Sequence, residues 1–270
     1  MNWHSHRHRG QRSMRNTLQF GDIKSEEYGV YISGPGVYDA PARVYKSVSV
    51  PGRNGDLIIS GDNYKNINVK YPAFIFKDFK NNVAAFRNAL LCTNGYARLF
   101  DSYHPEEFRV AYYPGGLKVD ARTQHDAGEF EIEFNCKPQR YLYSGEEWNE
   151  YADEDALYNP TLCGAKPCIV VAGYGTLTVG SNVIEINEHI YPYIVIDSEI
   201  TDCYAASDLP LDNSAVVGTD VLKSGNYLGN ANMIVSFTAG DFPVFPAGST
   251  GIEFDNTITG VWICPRWWQL

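Results

Sequence analysis

Apolar and polar residues alternate with a period of two through much of this chain. In Asn66-Ile67-Asn68-Val69-Lys70-Tyr71 and again in Glu129-Phe130-Glu131-Ile132-Glu133-Phe134, every second residue is apolar, which predicts strands with one face buried. In the second run a slip of one residue would bury three carboxylates, so the register is strongly specified. Residues 43–59 predict a hairpin. Val48 and Val50 alternate with Ser47 and Ser49, Pro51-Gly52-Arg53-Asn54-Gly55 follows, and Asp56-Leu57-Ile58-Ile59 returns. Asn54-Gly55 predicts a type I′ turn, whose two central residues need positive φ. One helix is expected: Phe79, Val83, Phe86 and Leu90 recur at i, i+4, i+7 and i+11, with Asp78 as N-cap and Gly95 as the stop.

Short strands return later, over residues 169–172, 177–179, 183–186, 193–197, 233–237, 251–254 and 258–264, with turn residues between them. That spacing reads as a second antiparallel sandwich. Between the two sets lies an acidic, turn-rich stretch, residues 144–160, bracketed by Gly145 and Asn159-Pro160. The expected organisation is a basic, His-rich leader (1–13), a first β-sandwich domain with one helix (14–143), an acidic linker (144–160) and a second β-sandwich domain (161–270).

Composition supports a folded, strand-rich protein. The 270 residues are 44% hydrophobic and 20% charged, with 19 Tyr, 13 Phe and 5 Trp, and aromatic residues favour pleated surfaces. Charge separates the halves. Residues 1–143 hold 19 Lys+Arg against 15 Asp+Glu, whereas residues 144–270 hold 3 against 17. The acidic half argues against binding nucleic-acid phosphates, which need Lys and Arg to release counterions. Arg7, Arg9, Arg12 and Arg15 in or beside the leader read as a solvated arm. No N-terminal stretch resembles a signal peptide and no apolar run is long enough to span a bilayer, so no membrane partner is expected. The six cysteines, Cys92, Cys136, Cys163, Cys168, Cys203 and Cys264, lack a close CxxC. They read as free thiols of a protein made in a reducing cytoplasm.

The search for chemistry yields little. There is no P-loop, GxSxG elbow or HExxH. Gly173-Tyr174-Gly175 begins like a dinucleotide fingerprint, but Thr178 stands at the third glycine position and the segment reads as a strand turn. His104, within Asp101-Ser102-Tyr103-His104-Pro105-Glu106-Glu107, could serve an acid/base or metal cluster, yet reads better as a polar loop. His125 and His189 fall at turns. The string His4, His6, His8 could bind a metal but reads as part of the leader. Asp153-Glu154-Asp155 and Glu146-Glu147 lack the glycine and spacing of a Ca²⁺ loop, and Cys163 and Cys168 lack a second zinc-ligand pair. The expectation is a non-enzyme with no catalytic, cofactor or metal residues.

Several stretches resemble the distal tail protein family of siphophages. Val50-Pro51-Gly52-Arg53-Asn54-Gly55-Asp56-Leu57, followed by Tyr64 and Ile67, is similar to that family's hairpin, and the helix with Phe86 and Leu90 follows in place. Asn159-Pro160-Thr161-Leu162, Lys166-Pro167 and Gly173-x-Gly175-x-Leu177 resemble its domain junction. Gly240-Asp241-Phe242-Pro243-Val244, Pro246-x-Gly248 and Ile252-x-Phe254 are similar to its late strands, and Pro265-Arg266-Trp267-Trp268 to its ending. The resemblance covers roughly residues 14–270. It implies a mainly β protein whose first sandwich carries a belt-like hairpin extension and whose second is galectin-like. It also implies a homohexameric ring in the virion's tail tip, docked to the tail-tube protein on one side and a tail-associated lysin or hub protein on the other. Phage DNA would pass through unread, and receptor-binding proteins could be held outside. The hairpin Val50–Leu57 becomes the candidate assembly element, and Arg266, Trp267 and Trp268 candidates for packing between domains. The rival expectation is a carbohydrate-binding module contacting host cell-wall glycans.

Overall fold

The computed structural model describes residues 15–122, 126–209, 226–238 and 240–270. The leader, with His4, His6 and His8, and also His125 lie outside the described residues. The first half contains β1 (Leu18–Phe20), β2 (Ile23–Lys24), β3 (Tyr31–Ile32), β4 (Arg43–Val48), β5 (Leu57–Tyr64), β6 (Ile67–Ile75), helix α1 (Phe79–Cys92), β7 (Ala97–Asp101), β8 (Glu107–Tyr112), β9 (Val119–Arg122) and β10 (Ala127–Leu142). The second contains β11 (Asn149–Tyr151), β12 (Asp155–Asn159), β13 (Cys168–Gly173), β14 (Gly175–Val179), β15 (Asn182–Ile186), β16 (Tyr193–Asp197), β17 (Asp202–Ala206), β18 (Tyr227–Asn230), β19 (Val235–Phe237), β20 (Gly248–Phe254), β21 (Ile258–Cys264) and β22 (Trp268–Gln269). The fold is mainly β, antiparallel throughout.

The first core is wrapped by one antiparallel sheet in the order β2-β1-β7-β8-β10-β6-β3, with β9 and β22 also on β10. The sheet curls until its ends meet, because Ile32 N–H donates to Asn16 O at 2.9 Å. β10 makes the corner. Its first part pairs with β6 in unbroken register from Gly128↔Ile75 to Cys136↔Ile67, and its register against β8 shifts between Cys136 and Arg140. The two alternating runs behave as the period-two pattern requires: Val69, Tyr71, Phe130, Ile132 and Phe134 are buried, while Glu129 and Glu131 stay exposed. Helix α1 covers this core with Phe79, Phe86 and Leu90. Phe79 lies so close to Gly128 that a Cβ there would sit 2.2 Å from its ring.

The helix start differs from expectation. Asp78 makes no side-chain cap and sits at φ 49°. Asp126 supplies the cap instead, its carboxylate accepting from Asp78 N–H at 2.7 Å and Phe79 N–H at 3.0 Å. A carboxylate from another loop satisfies the orphan donors and favours the positive end of the helix dipole as well as a local one does.

The second half is a sandwich of two sheets, β11-β21-β13-β16-β17-β18 and β12-β20-β14-β15-β19, closed over a core that includes Ile169, Leu177, Ile184, Ile196, Ile252 and Val261. The stretch 144–160, expected as a linker, is partly built into it. β11 pairs with β21 and β12 with β20. Apart from buried Glu146, its acids lie on the outside while Leu157 and Asn159 turn inward, so most of the acidity marks a strand's wet face rather than a tether.

The two sheets differ in their surroundings. Strands of the second sheet alternate between buried and exposed residues, whereas Cys168–Val171, Ile194–Asp197 and Cys203–Ala206 of the first are continuously buried. A sheet covered on both faces reads this way. Its outer face carries Cys168, Val170, Val195, Tyr204, Ala206 and Cys264 against Phe108, Val110 and Tyr141 of the first half.

Candidate assembly surface

The hairpin β4–β5 pairs with no other strand among the described residues. It leaves the first sheet as the connection between β3 and β6, and its root is pinched shut by Lys65 N–H donating to Ala42 O at 2.9 Å. Arg43 reinforces the root, donating to Tyr64 Oη at 2.6 Å with its guanidinium 5.0 Å from the ring centre. The register Val48↔Leu57, Ser47↔Ile58, Lys46↔Ile59, Tyr45↔Ser60 places apolar side chains on both faces. Ile58 is 66% exposed, Tyr45 61% and Ile59 52%. An isolated two-stranded ribbon is marginal in water, and one with open edges and apolar faces is built to be covered.

The tip is not the expected Asn-Gly turn. β4 ends at Val48 and β5 begins at Leu57, so residues 49–56 form a longer loop. Arg53 N–H donates to Val50 O at 3.2 Å, and Gly52 holds φ +79°. Pro51-Gly52 therefore forms a type II turn, in which proline presets the first central residue and glycine takes the positive φ of the second. Gly55 also has positive φ whereas Asn54 does not, so the pair of left-handed residues a type I′ turn needs is absent. Ser47 Oγ and the Asp56 carboxylate brace the loop.

The terminal residues lie at the seam between the halves. β22 adds to β10 through Trp268↔Tyr141 and Gln269↔Arg140. Arg266 is buried, at φ 57°, and forms a two-bond ion pair with buried Asp197 at 2.5 and 2.8 Å. Trp267 is buried beside Phe245, and Trp268 Nε1 donates to Gly164 O. Gly145 is required here, because a Cβ would fall 2.2 Å from Trp267 N. The adjacent Glu146 accepts from both terminal nitrogens of Arg98 on β7, at 2.9 and 2.6 Å. Burial nevertheless outweighs Arg98 and lifts the Glu146 carboxyl to about 7. Sequence reasoning did not single out Asp197, Arg98, Phe108 or Tyr141. The only sign available was the continuous burial-type composition of β13, β16 and β17.

The candidate chemical residues are occupied structurally. Asp101 accepts from Tyr71 Oη at 2.8 Å and from the backbone of Tyr103 and His104, and contacts His104 Nδ1 at 3.0 Å, so this group braces its own loop. His189 Nε2 lies 3.0 Å from Gly173 O, tying the β13–β14 turn. Asp153 and Asp155 accept backbone N–H bonds of Phe254 and Ala152. Among the described residues no group of three or more His, Cys, Asp or Glu side chains is placed to hold a metal. The cysteines are free, and burial pushes the Cys136, Cys203 and Cys264 thiols up to about 12, which makes them poor nucleophiles. No described helix is long and apolar enough to cross a membrane.

No family model and no curated protein matches the chain. Among solved structures, the Dit protein of phage SPP1 superposes with a TM-score of 0.65 at 10% identity, covering 92% of this chain and 97% of that one. The chain has the fold of SPP1 Dit. That protein is described as a paradigm of the hub adsorption apparatus in phages infecting Gram-positive bacteria. A match this long spans both halves, so the Dit fold accounts for their combination and not merely for one sandwich. The phage P2 baseplate in its activated conformation with Ca aligns over 93% of this chain and 97% of its own, with 10% identity and a TM-score of 0.47.

Proposed function

We propose that this protein is a structural, non-enzymatic subunit of a hub ring at the distal end of a long non-contractile phage tail. In this reading the ring is a homohexamer that joins the tail tube to the baseplate or tail-tip proteins. The unit from residue 14 to about 143 forms the ring, and the acidic second sandwich, galectin-like in type, stands outside it as a platform for other tail components. The observation that carries the reading is the β4–β5 hairpin, an unpaired ribbon with apolar faces on a chain with the Dit fold. Closed rings need a heterologous contact repeated by rotation, and a projecting ribbon with open edges supplies one half of such a contact.

The test is oligomeric mass by light scattering, with negative-stain imaging, for the protein alone and mixed with its tail-tube partner. Six-fold rings are expected. A second sample replaces residues 44–63 with a short glycine linker, which the root tolerates because Ala42 and Lys65 are already hydrogen-bonded. That protein should stay folded and monomeric. A monomer in every full-length sample, or rings formed without the hairpin, sinks the reading.

A further inference from the structure

A second surface, beside the root of the hairpin, has the chemistry of a saccharide site. Tyr96, at the end of the α1–β7 loop, and Tyr112, the last residue of β8, stand perpendicular, with ring centres 5.4 Å apart and planes at 89°. Tyr96 is 39% exposed. Its hydroxyl accepts from Asn66 Nδ2 at 2.9 Å, Asn66 also donates to Asn135 Oδ1 at 2.6 Å, and Asn135 donates to Asn68 Oδ1 at 2.6 Å. Lys137 Nζ lies 5.3 Å from the Tyr96 ring centre. Beside the rings opens a cleft of about 340 Å³, walled by Leu91, Asn94, Tyr113 and Pro114 as well as the two tyrosines.

Three points favour a ligand over a merely solvated face. Asparagine is depleted in strands, yet Asn68 and Asn135 occupy facing positions on β6 and β10. The amides and the Tyr96 hydroxyl hold one another in place at an exposed position, so their remaining donors and acceptors are presented in fixed directions, which lowers the entropy lost on binding. The cleft volume falls in the range of small-ligand sites. Pyranose rings offer an apolar C–H face that stacks on an aromatic ring and hydroxyl pairs that match a planar amide. No carboxylate lines the cleft, and the Lys137 ammonium lies over the ring of Tyr96, one of its walls. We infer that this corner binds a neutral or anionic saccharide of one or two residues, such as the end of a cell-wall glycan.

The inference does not depend on the ring. The experiment applies labelled full-length protein to an array of bacterial wall saccharides and confirms hits by saturation-transfer NMR. Binding is expected for the wild type, with at least a tenfold loss in Tyr96→Ala and in Asn66→Ala, whose exposed amide can be removed without opening the core. No saccharide bound by the wild type overturns the inference, as does binding that both variants retain. Variants that change oligomeric mass but not glycan binding overturn it in favour of a contact between copies. A monomer that binds glycan would keep this inference and remove the hub reading, and a ring that binds none would do the reverse.

Discussion

Among the described residues, two apolar surfaces beyond the two main cores are treated by the chain in opposite ways. The outer face of the β13-bearing sheet is covered by Phe108, Val110 and Tyr141 and locked by the Arg266–Asp197 pair and the β10–β22 ladder. The faces of the β4–β5 ribbon are left bare. Burial of one is part of folding, whereas burial of the other has to come from outside the chain. Hydrophobic side chains at the two places therefore answer to different equilibria: the first to stability, the second to association.

The seam should be the more fragile under mutation. Arg266→Ala leaves Asp197 as an unpaired carboxylate in a fully buried position, and breaking a buried pair from one side costs about 3–5 kcal/mol. Denaturant unfolding at pH 7 should show a loss of that size, and a change below about 1 kcal/mol would mean that the seam contributes little to the fold.

The seam also carries a smaller, pH-dependent effect. Glu146 holds its proton up to about pH 7 in the folded state against an ordinary carboxyl value of 4.5. Between those values the folded protein binds a proton that the unfolded chain has released. Its contribution is thus fully present below pH 4.5 and is lost as pH rises toward 7, by on the order of 1–3 kcal/mol. Other carboxylates impose their own slopes, so the measurement is the difference between wild type and Glu146→Gln across pH 4.5–7.5. That difference should shift toward the variant's favour as pH rises. A flat difference would show that Arg98 keeps Glu146 ionised throughout.

The contrast between the two surfaces was only half legible in the sequence. Alternation in β6 and β10 revealed the half-buried strands, because period two and one-sided burial are the same fact. The uninterrupted Cys168-Ile169-Val170-Val171 and Ile194-Val195-Ile196 identified strands too, but their lack of alternation was the unread sign of a second cover. What covers them, Phe108 and Tyr141, is remote in sequence and leaves no periodic trace. Asp126 leaves no local trace as the helix cap for the same reason, lying 47 residues from Phe79. The hairpin was visible from Asn54-Gly55 and its flanking runs, although the turn itself forms at Pro51-Gly52. The hairpin's exposure was implied only by the family resemblance, since Leu57-Ile58-Ile59 by itself has the composition of a buried strand. The aromatic corner at Tyr96 was wholly invisible, being assembled from β6, β8, β10 and a loop.

The smallest expected effect on stability is the one that sharpens the comparison most. Ile58 and Ile59 touch neither core, so Ile58→Ser and Ile59→Ser should each change monomer stability by no more than about 0.5 kcal/mol, the range for exposed positions. At a core position the same loss of a buried branched side chain would cost several kcal/mol. The two variants lie on opposite faces of the ribbon, because Ile58 opposes Ser47 and Ile59 opposes Lys46. Measured for assembly, they therefore ask which face a neighbour covers. If one face is seated and the other wet, only one variant should weaken the ring. Equal loss from both would mean that the ribbon is clasped between two surfaces. Unfolding midpoints lowered by several degrees in the isolated monomer would instead place these side chains in an intramolecular contact and dissolve the distinction between seam and ribbon.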